Sequence, residues 1–146
     1  MAAFNLNIKN FDKVFQEVKN YPENFNKIIN NEFKAFGLLT VADAKRLCPT
    51  GDSGRLKNSI ISSTSDLKVS INVNADYAVY VEFGIKEYAA RYVPTLPLEI
   101  QEYAIQFKTS PPGAKGGFMA QPFLFPAFEK NKIELIKNLK AQLNAK

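Results

Sequence analysis

A long helical segment between two prolines constrains the fold of this chain most strongly. Pro22 can occupy the first turn of a helix, and Pro49 ends one because proline has no backbone N–H. Gly37 weakens the middle of the segment by about 1 kcal/mol relative to alanine. An apolar stripe with the helical period of 3.6 residues runs through it, formed by Phe25, Ile28, Ile29, Phe33, Phe36, Thr40 and Leu47. The stripe predicts one long amphipathic helix.

Two further segments show the same periodicity. Residues 10–20 predict a short helix whose apolar face is Phe11, Val14, Phe15 and Val18. Residues 126–143 predict a C-terminal helix whose apolar stripe is Phe128, Leu135, Ile136, Leu139 and Leu143. The lysines of the C-terminal helix lie mainly on its flanks and outer face. Helices are therefore expected at both ends of the chain.

The middle of the chain changes to turn and strand patterning. Residues 49–54 are a turn cluster, and Asp52 or Ser53 is expected to cap a short helical turn over residues 55–59. Residues 60–64 and 68–73 are rich in strand formers, and apolar and polar side chains alternate in the second run. Ser65 and Asp66 lie between the two runs, which predicts a β-hairpin.

Three segments are less determined. Residues 74–83 fit both a strand and a helix, and we favour a short helix or an irregular segment. Residues 97–107 fit either an edge strand or a helix, and the glycines and prolines of residues 108–117 predict a mobile loop. The expected fold class is α+β, with N-terminal and C-terminal helices packed on a small, mainly antiparallel β-sheet. We expect one domain over residues 1–146, with a long flexible insertion at about 86–118.

Composition argues against an enzyme. The chain of 146 residues has no histidine, which removes histidine-based acid–base and nucleophile chemistry and most zinc sites. The one cysteine, Cys48, has no histidine to act as its base, so it is expected to be a small core residue. The carboxylates are scattered, and the glycines at residues 51–54 lack phosphate-loop spacing. We expect no catalytic residue, no cofactor and no metal.

Charge and hydropathy leave the partner open. The net charge of +5 is not concentrated in a basic run, so it permits contact with nucleic acid without requiring it. Apolar stretches are far shorter than the roughly 20 residues of a membrane span, and residues 1–10 lack the apolar core of a secretory signal. A dense aromatic cluster is either core or an assembly surface; its members are Tyr77, Tyr80, Phe83, Tyr88 and Tyr92.

Three segments carry a resemblance when they are read in order. The first runs from Ala44-Lys45-Arg46-Leu47-Cys48-Pro49 into Gly54-Arg55-Leu56-Lys57-Asn58-Ser59-Ile60. The second is Asn74-Ala75-Asp76-Tyr77-Ala78-Val79-Tyr80-Val81-Glu82-Phe83-Gly84, and the third is Gln121-Pro122-Phe123-Leu124-Phe125-Pro126-Ala127. Together they resemble the neck and tail-component family of long-tailed bacteriophages, whose members join the head to the tail or complete the tail.

The resemblance implies a structural virion protein at the head–tail junction or the top of the tail. Its expected partners are further copies of itself in a ring, with six as the expected number, and the adjacent connector and tail proteins. DNA would pass through the ring without sequence-specific binding, and no membrane would be involved. The protein would be made in the host cytoplasm and incorporated into the particle. The alternative is a small basic DNA-binding protein, for which strong salt dependence of binding would be diagnostic.

Candidate assembly residues come from the three segments. Gly54 is expected to adopt a positive φ in a tight turn. Glu82 is expected to pair with a basic side chain such as Arg55, and Pro122 and Pro126 are expected to present the residues between them as rigid apolar plugs. The full candidate set is Gly54, Arg55, Tyr77, Tyr80, Glu82, Phe83, Gly84, Phe123, Leu124 and Phe125.

Overall fold

The computed structural model describes residues 4–7, 25–49, 54–65, 67–85, 87–105 and 119–143. Within them a three-stranded antiparallel sheet and two long helices enclose the core, which confirms the α+β class. The expected helix over residues 10–20 and the expected mobile loop over residues 108–117 lie outside the described residues. Among those that are described, no helix is long and apolar enough to cross a membrane.

The first long helix, α1 (Phe25–Leu47), confirms the stripe between the two prolines. Its buried face ends at Ala44, because Leu47 is exposed. Gly37 lies where α1 crosses the sheet, and a Cβ built on it would be 3.1 Å from the Cβ of Ser62. The glycine therefore permits a close approach of helix and strand, which offsets its poor helix propensity.

The sheet consists of β1 (Phe4–Asn7), β2 (Ile60–Ser65) and β3 (Lys68–Val73), in the order β1-β3-β2. The hairpin of β2 and β3 confirms the sequence prediction, and Leu67 in its turn has a φ of 55°. Strand β1 was not predicted. Its four residues carry little strand signal on their own, and it forms by pairing antiparallel with the free edge of β3.

Short helices connect the sheet to the rest of the core. Helix α2 (Arg55–Asn58) begins after Gly54, which has a φ of 67°, so the positive φ is confirmed. The expected cap from Asp52 or Ser53 lies outside the described residues. Helix α3 (Ala78–Phe83) confirms the helical interpretation of residues 74–83, and it ends at Gly84 with a φ of 78°.

The expected insertion is helical over most of its described part. Helix α4 (Glu87–Tyr92), a 3-10 turn (Val93–Thr95) and helix α5 (Leu98–Ile105) occupy residues 87–105. Ile100 and Ala104 are buried in the same core cluster as α1. Of the two alternatives for residues 97–107, the helix is the one observed, and the flexibility of the segment at about 86–118 stays a prediction.

The second long helix, α6 (Leu124–Leu143), begins two residues earlier than the sequence predicts and packs along α1. Phe36 and Phe128 meet edge to face, with ring centroids 5.5 Å apart. Near the far end Gln142 contacts Glu32, so the two helices run antiparallel. α1 packs on α6 and also on β2 and β3, so it lies between the second long helix and the sheet.

Candidate assembly site

Glu82 occupies the centre of the contact between the second and third sequence segments. It lies on α3, and only 1% of its surface is exposed. Ala78, Val79 and Phe83 are buried on the same short helix. Burial of a carboxylate costs free energy unless polar partners satisfy it, so its surroundings must supply hydrogen bonds.

The partners of Glu82 are backbone N–H groups at the start of α6. Its Oε2 accepts hydrogen bonds from the N–H groups of Phe123 at 2.8 Å and Leu124 at 2.9 Å, and its Oε1 accepts one from Phe125 at 2.9 Å. The first N–H groups of a helix have no partner within the helix, and the helix dipole favours a negative charge there. Glu82 therefore caps α6 from a position 41 residues earlier in the chain.

A backbone bond extends the same contact. The N–H of Gln121 donates to the carbonyl oxygen of Val81 at 2.8 Å. Residues 121–125, the last two of which begin α6, thus make four hydrogen bonds to α3. This contact fixes the start of α6 against α3.

The protonation of Glu82 reflects two opposing influences. Burial raises the pKa of the Glu82 carboxyl above its ordinary value, and the three N–H donors act to lower it. Burial is the larger influence, so this carboxyl takes up a proton at a higher pH than a glutamate in water. The expected ion pair between Glu82 and Arg55 is wrong, because the carboxylate points to the backbone of α6.

Arg55 instead belongs to an exposed cluster, which we call the Arg55 patch, formed by Arg55, Asp76 and Tyr77. The guanidinium lies 3.5 Å from Asp76 Oδ1 and 5.4 Å from the centroid of the Tyr77 ring. The side chains of Arg55 and Asp76 are mostly in solvent, so their ion pair contributes little to stability. The patch presents a cation, a carboxylate and an aromatic ring to the surface.

The structure divides the candidate residues between surface and core. Arg55 and Tyr77 are exposed, and Gly54 and Tyr80 are half-buried. The other six candidates are buried within the subunit, namely Glu82, Phe83, Gly84, Phe123, Leu124 and Phe125. The expected apolar plugs at 123 and 124 are therefore core residues of this chain, and Phe83 packs on Phe125 with ring centroids 5.6 Å apart. The aromatic cluster is likewise part core and part surface.

A second polar contact between distant segments was missed by the sequence analysis. The Asp43 carboxylate on α1 accepts hydrogen bonds from Arg46 at 2.6 Å and from Lys130 at 3.4 Å and Asn131 at 3.0 Å on α6. The Asn131 hydrogen bond is the main influence that lowers the pKa of Asp43, with Lys130 and Arg46 adding to it. The sequence contains one indication of this contact, because Asn131 is a polar residue on the otherwise apolar stripe of α6.

Cys48 is buried at the end of α1, as expected for a core residue. Burial raises the pKa of its thiol, which disfavours the nucleophilic thiolate. Among the described residues, no group of histidine, cysteine, aspartate and glutamate side chains has the arrangement of a metal site.

Comparison with known proteins gives one match. A family model described as "Bacteriophage HK97-gp10, putative tail-component" matches residues 12–84, half of the chain. No curated protein and no solved structure matches. The matched range ends at Gly84, so it includes α1, the hairpin, the Arg55 patch and Glu82. The N-terminus of α6, which Glu82 caps, lies beyond it.

Proposed function

Because the chain belongs to the HK97-gp10-like family of bacteriophage tail components, we propose that identical subunits form a ring around the DNA passage. As a tail component the protein is a structural part of the virion and contacts other phage structural proteins. The ring would lie at the head–tail junction or at the top of the tail, and six copies is the expected number. The subunit would act through assembly, with no covalent chemistry.

The observation that carries the proposal is that the subunit has a well-packed core and still exposes large apolar side chains on its surface. Leu38 and Leu39 on α1 are 60% and 57% exposed, although the opposite face of the helix is buried. Leu38 lies beside β2, at one edge of the sheet. Adjacent exposed apolar side chains next to an open sheet edge are typical of a surface that a neighbour covers.

The Glu82 contact supports the same proposal. The buried carboxylate joins α3 to α6 by three charge-assisted hydrogen bonds, which are the stronger kind. The Arg55 patch remains exposed on this rigid subunit, so it is available to contact a neighbouring protein.

The copy number in intact particles tests the proposal. We expect several copies per particle, arranged with rotational symmetry about the tail axis, by quantitative mass spectrometry and by imaging of purified particles. A single copy per particle would contradict the ring. The free subunit is expected to show only weak, salt-sensitive retention on duplex DNA, whereas tight retention combined with one copy would favour the DNA-binding alternative.

A further inference from the structure

The outer edge of β2 carries backbone hydrogen-bonding groups that point away from β3. The N–H of Asn74 donates to the carbonyl oxygen of Ser59 at 3.2 Å, which fixes the alternation of the antiparallel ladder. Ile61, Ser63 and Ser65 therefore bond to β3, and the N–H and C=O groups of Ile60, Ser62 and Thr64 point away from it. No strand in the described part of the chain pairs with that edge.

This edge lacks the usual protection against pairing. Exposed edge strands are commonly blocked by charged residues, proline or a bulge. β2 has the sequence IISSTS, with no charge and no proline, and its register with β3 runs without a bulge. Within the described residues, the edge is therefore open to a further strand.

The space beside the edge suits an added strand. A groove of about 570 Å³ lies between β2 and α1, and it is lined by Asn30, Asn31, Lys34, Leu38, Ser62, Thr64 and Ser65. Four of these residues belong to α1, so the helix forms one wall of the groove. A strand placed next to β2 would cover Leu38, the most exposed large apolar side chain of that helix.

The opposite edge of the sheet supplies a matching strand. β1 and β2 both run antiparallel to β3, so they run in the same direction. Alternation along β3 directs the N–H and C=O groups of Asn5 and Asn7 away from the sheet. Two copies of the chain in the same orientation, one beside the other, therefore bring the free edge of β2 next to the free edge of β1.

We propose that β1 of one subunit pairs in parallel with β2 of the next, so that the sheet continues from subunit to subunit. The inference rests on the proposed ring and names its interface. A contact between unlike surfaces repeats from subunit to subunit and closes a ring when the rotation between neighbours allows it, whereas pairing of β2 with β2 joins like surfaces and stops at a dimer. The groups aligned on the two edges are Ile60, Ser62 and Thr64 on β2 and Asn5 and Asn7 on β1.

Paired cysteines test this interface in assembled particles. Positions 7 and 63 both pair with Ser70 within one subunit, so they lie in the same row across the sheet. If these rows continue from one subunit to the next, position 7 of one subunit lies opposite position 63 of its neighbour. Oxidation of particles carrying Asn7→Cys with Ser63→Cys is expected to give a ladder of cross-linked species up to the ring size. Asn5→Cys with Ser63→Cys covers a register shifted by two residues. Cys48 is buried and does not interfere.

The single variants are the controls for cross-linking. Neither Asn7→Cys nor Ser63→Cys alone is expected to cross-link, because the proposed contact joins different positions. Dimers formed by Ser63→Cys alone would show β2 against β2 and would overturn the inference. Absence of a ladder in both double variants, in particles with several copies, would also overturn it and leave the ring intact.

A proline on the outer edge gives an independent measurement. Thr64→Pro removes an N–H that points away from β3 at an exposed position, so the isolated subunit is expected to unfold at nearly the wild-type temperature. Its incorporation into particles is expected to fall at least tenfold, while Thr64→Ala is incorporated normally. Normal incorporation of a folded Thr64→Pro variant would overturn the inference. A wild-type count of one copy would instead refute the ring itself.

Discussion

Replacement of Glu82 by glutamine isolates the contact between α3 and the start of α6. The carboxylate accepts three hydrogen bonds, two at Oε2 and one at Oε1. A glutamine amide has one oxygen and one NH₂ group. If its oxygen keeps the bonds from Phe123 and Leu124, its NH₂ group faces the N–H of Phe125, and two donors oppose each other.

The expected loss follows from these three bonds. A hydrogen bond to a charged acceptor contributes about 1.5–3 kcal/mol and a neutral one about 1 kcal/mol, and a buried donor without a partner costs about 1–3 kcal/mol. Two weakened bonds and one lost bond together cost roughly 3–5 kcal/mol. The amide is cheaper to bury than the carboxylate, which offsets part of this loss. We therefore expect Glu82→Gln to lower the free energy of unfolding by about 2–4 kcal/mol.

Chemical denaturation followed by circular dichroism measures this difference. The experiment belongs at pH 8, far above the ordinary carboxyl range, because burial raises the pKa of Glu82. For a chain of this size the loss corresponds to a fall of roughly 5–15 °C in the melting temperature. Glu134→Gln makes the same chemical change on the exposed face of α6 and is expected to alter stability by less than about 0.5 kcal/mol. Equal effects of the two substitutions would refute the cap.

Three other substitutions test the local structure. Gly54→Val is expected to cost about 1–3 kcal/mol and Gly54→Asn less, because asparagine tolerates a φ of 67°; identical melting temperatures would contradict this. Thr40→Val is expected to stabilise by about 1 kcal/mol in thermal melts, because the buried hydroxyl has no partner among the described residues; a clear loss would reveal one. Asp43→Asn is expected to destabilise at pH 7 by less than about 1 kcal/mol, since two of its partners are solvent-exposed. Because the pKa of Asp43 is lowered, its carboxylate stabilises the fold at pH values above the ordinary pKa of 3.8, and this stabilisation is lost as the pH falls through the lowered pKa. The difference in unfolding free energy between wild type and Asp43→Asn should therefore shrink in acid. A constant difference from pH 6 to pH 2 would contradict this.

Elements with a strong local signal were predictable from the sequence. The end of α1 at Leu47 follows from Pro49, because proline cannot continue a hydrogen-bonded helix. The hairpin follows from alternation along residues 68–73, and the positive φ of Gly54 follows from glycine in a turn cluster. Each of these depends on residues near one another in the chain.

Elements that depend on distant neighbours were not predictable in the same way. Residues 74–83 carry both a strand period and a helix period, and burial of Glu82 against α6 accompanies the helical outcome. β1 has only four residues and gains its stability from the vacant edge of β3. From the sequence, α5 falls within the expected flexible insertion, whereas in the structure its residues Ile100 and Ala104 are buried in the core. In each case the partner lies far away in the sequence.

By itself, the sequence determined the helical and strand periods, the turn glycines and the order of the three segments that indicate a phage tail component. Only the tertiary structure decided what those segments do for one another. Glu82 was expected to meet Arg55, because opposite charges are the pairing that a sequence displays. Its actual partners are the backbone N–H groups of residues 123–125. Every residue except proline has such an N–H group. Because no residue type marks such a contact in the sequence, it becomes visible only in the fold, where α3 and the start of α6 lie together.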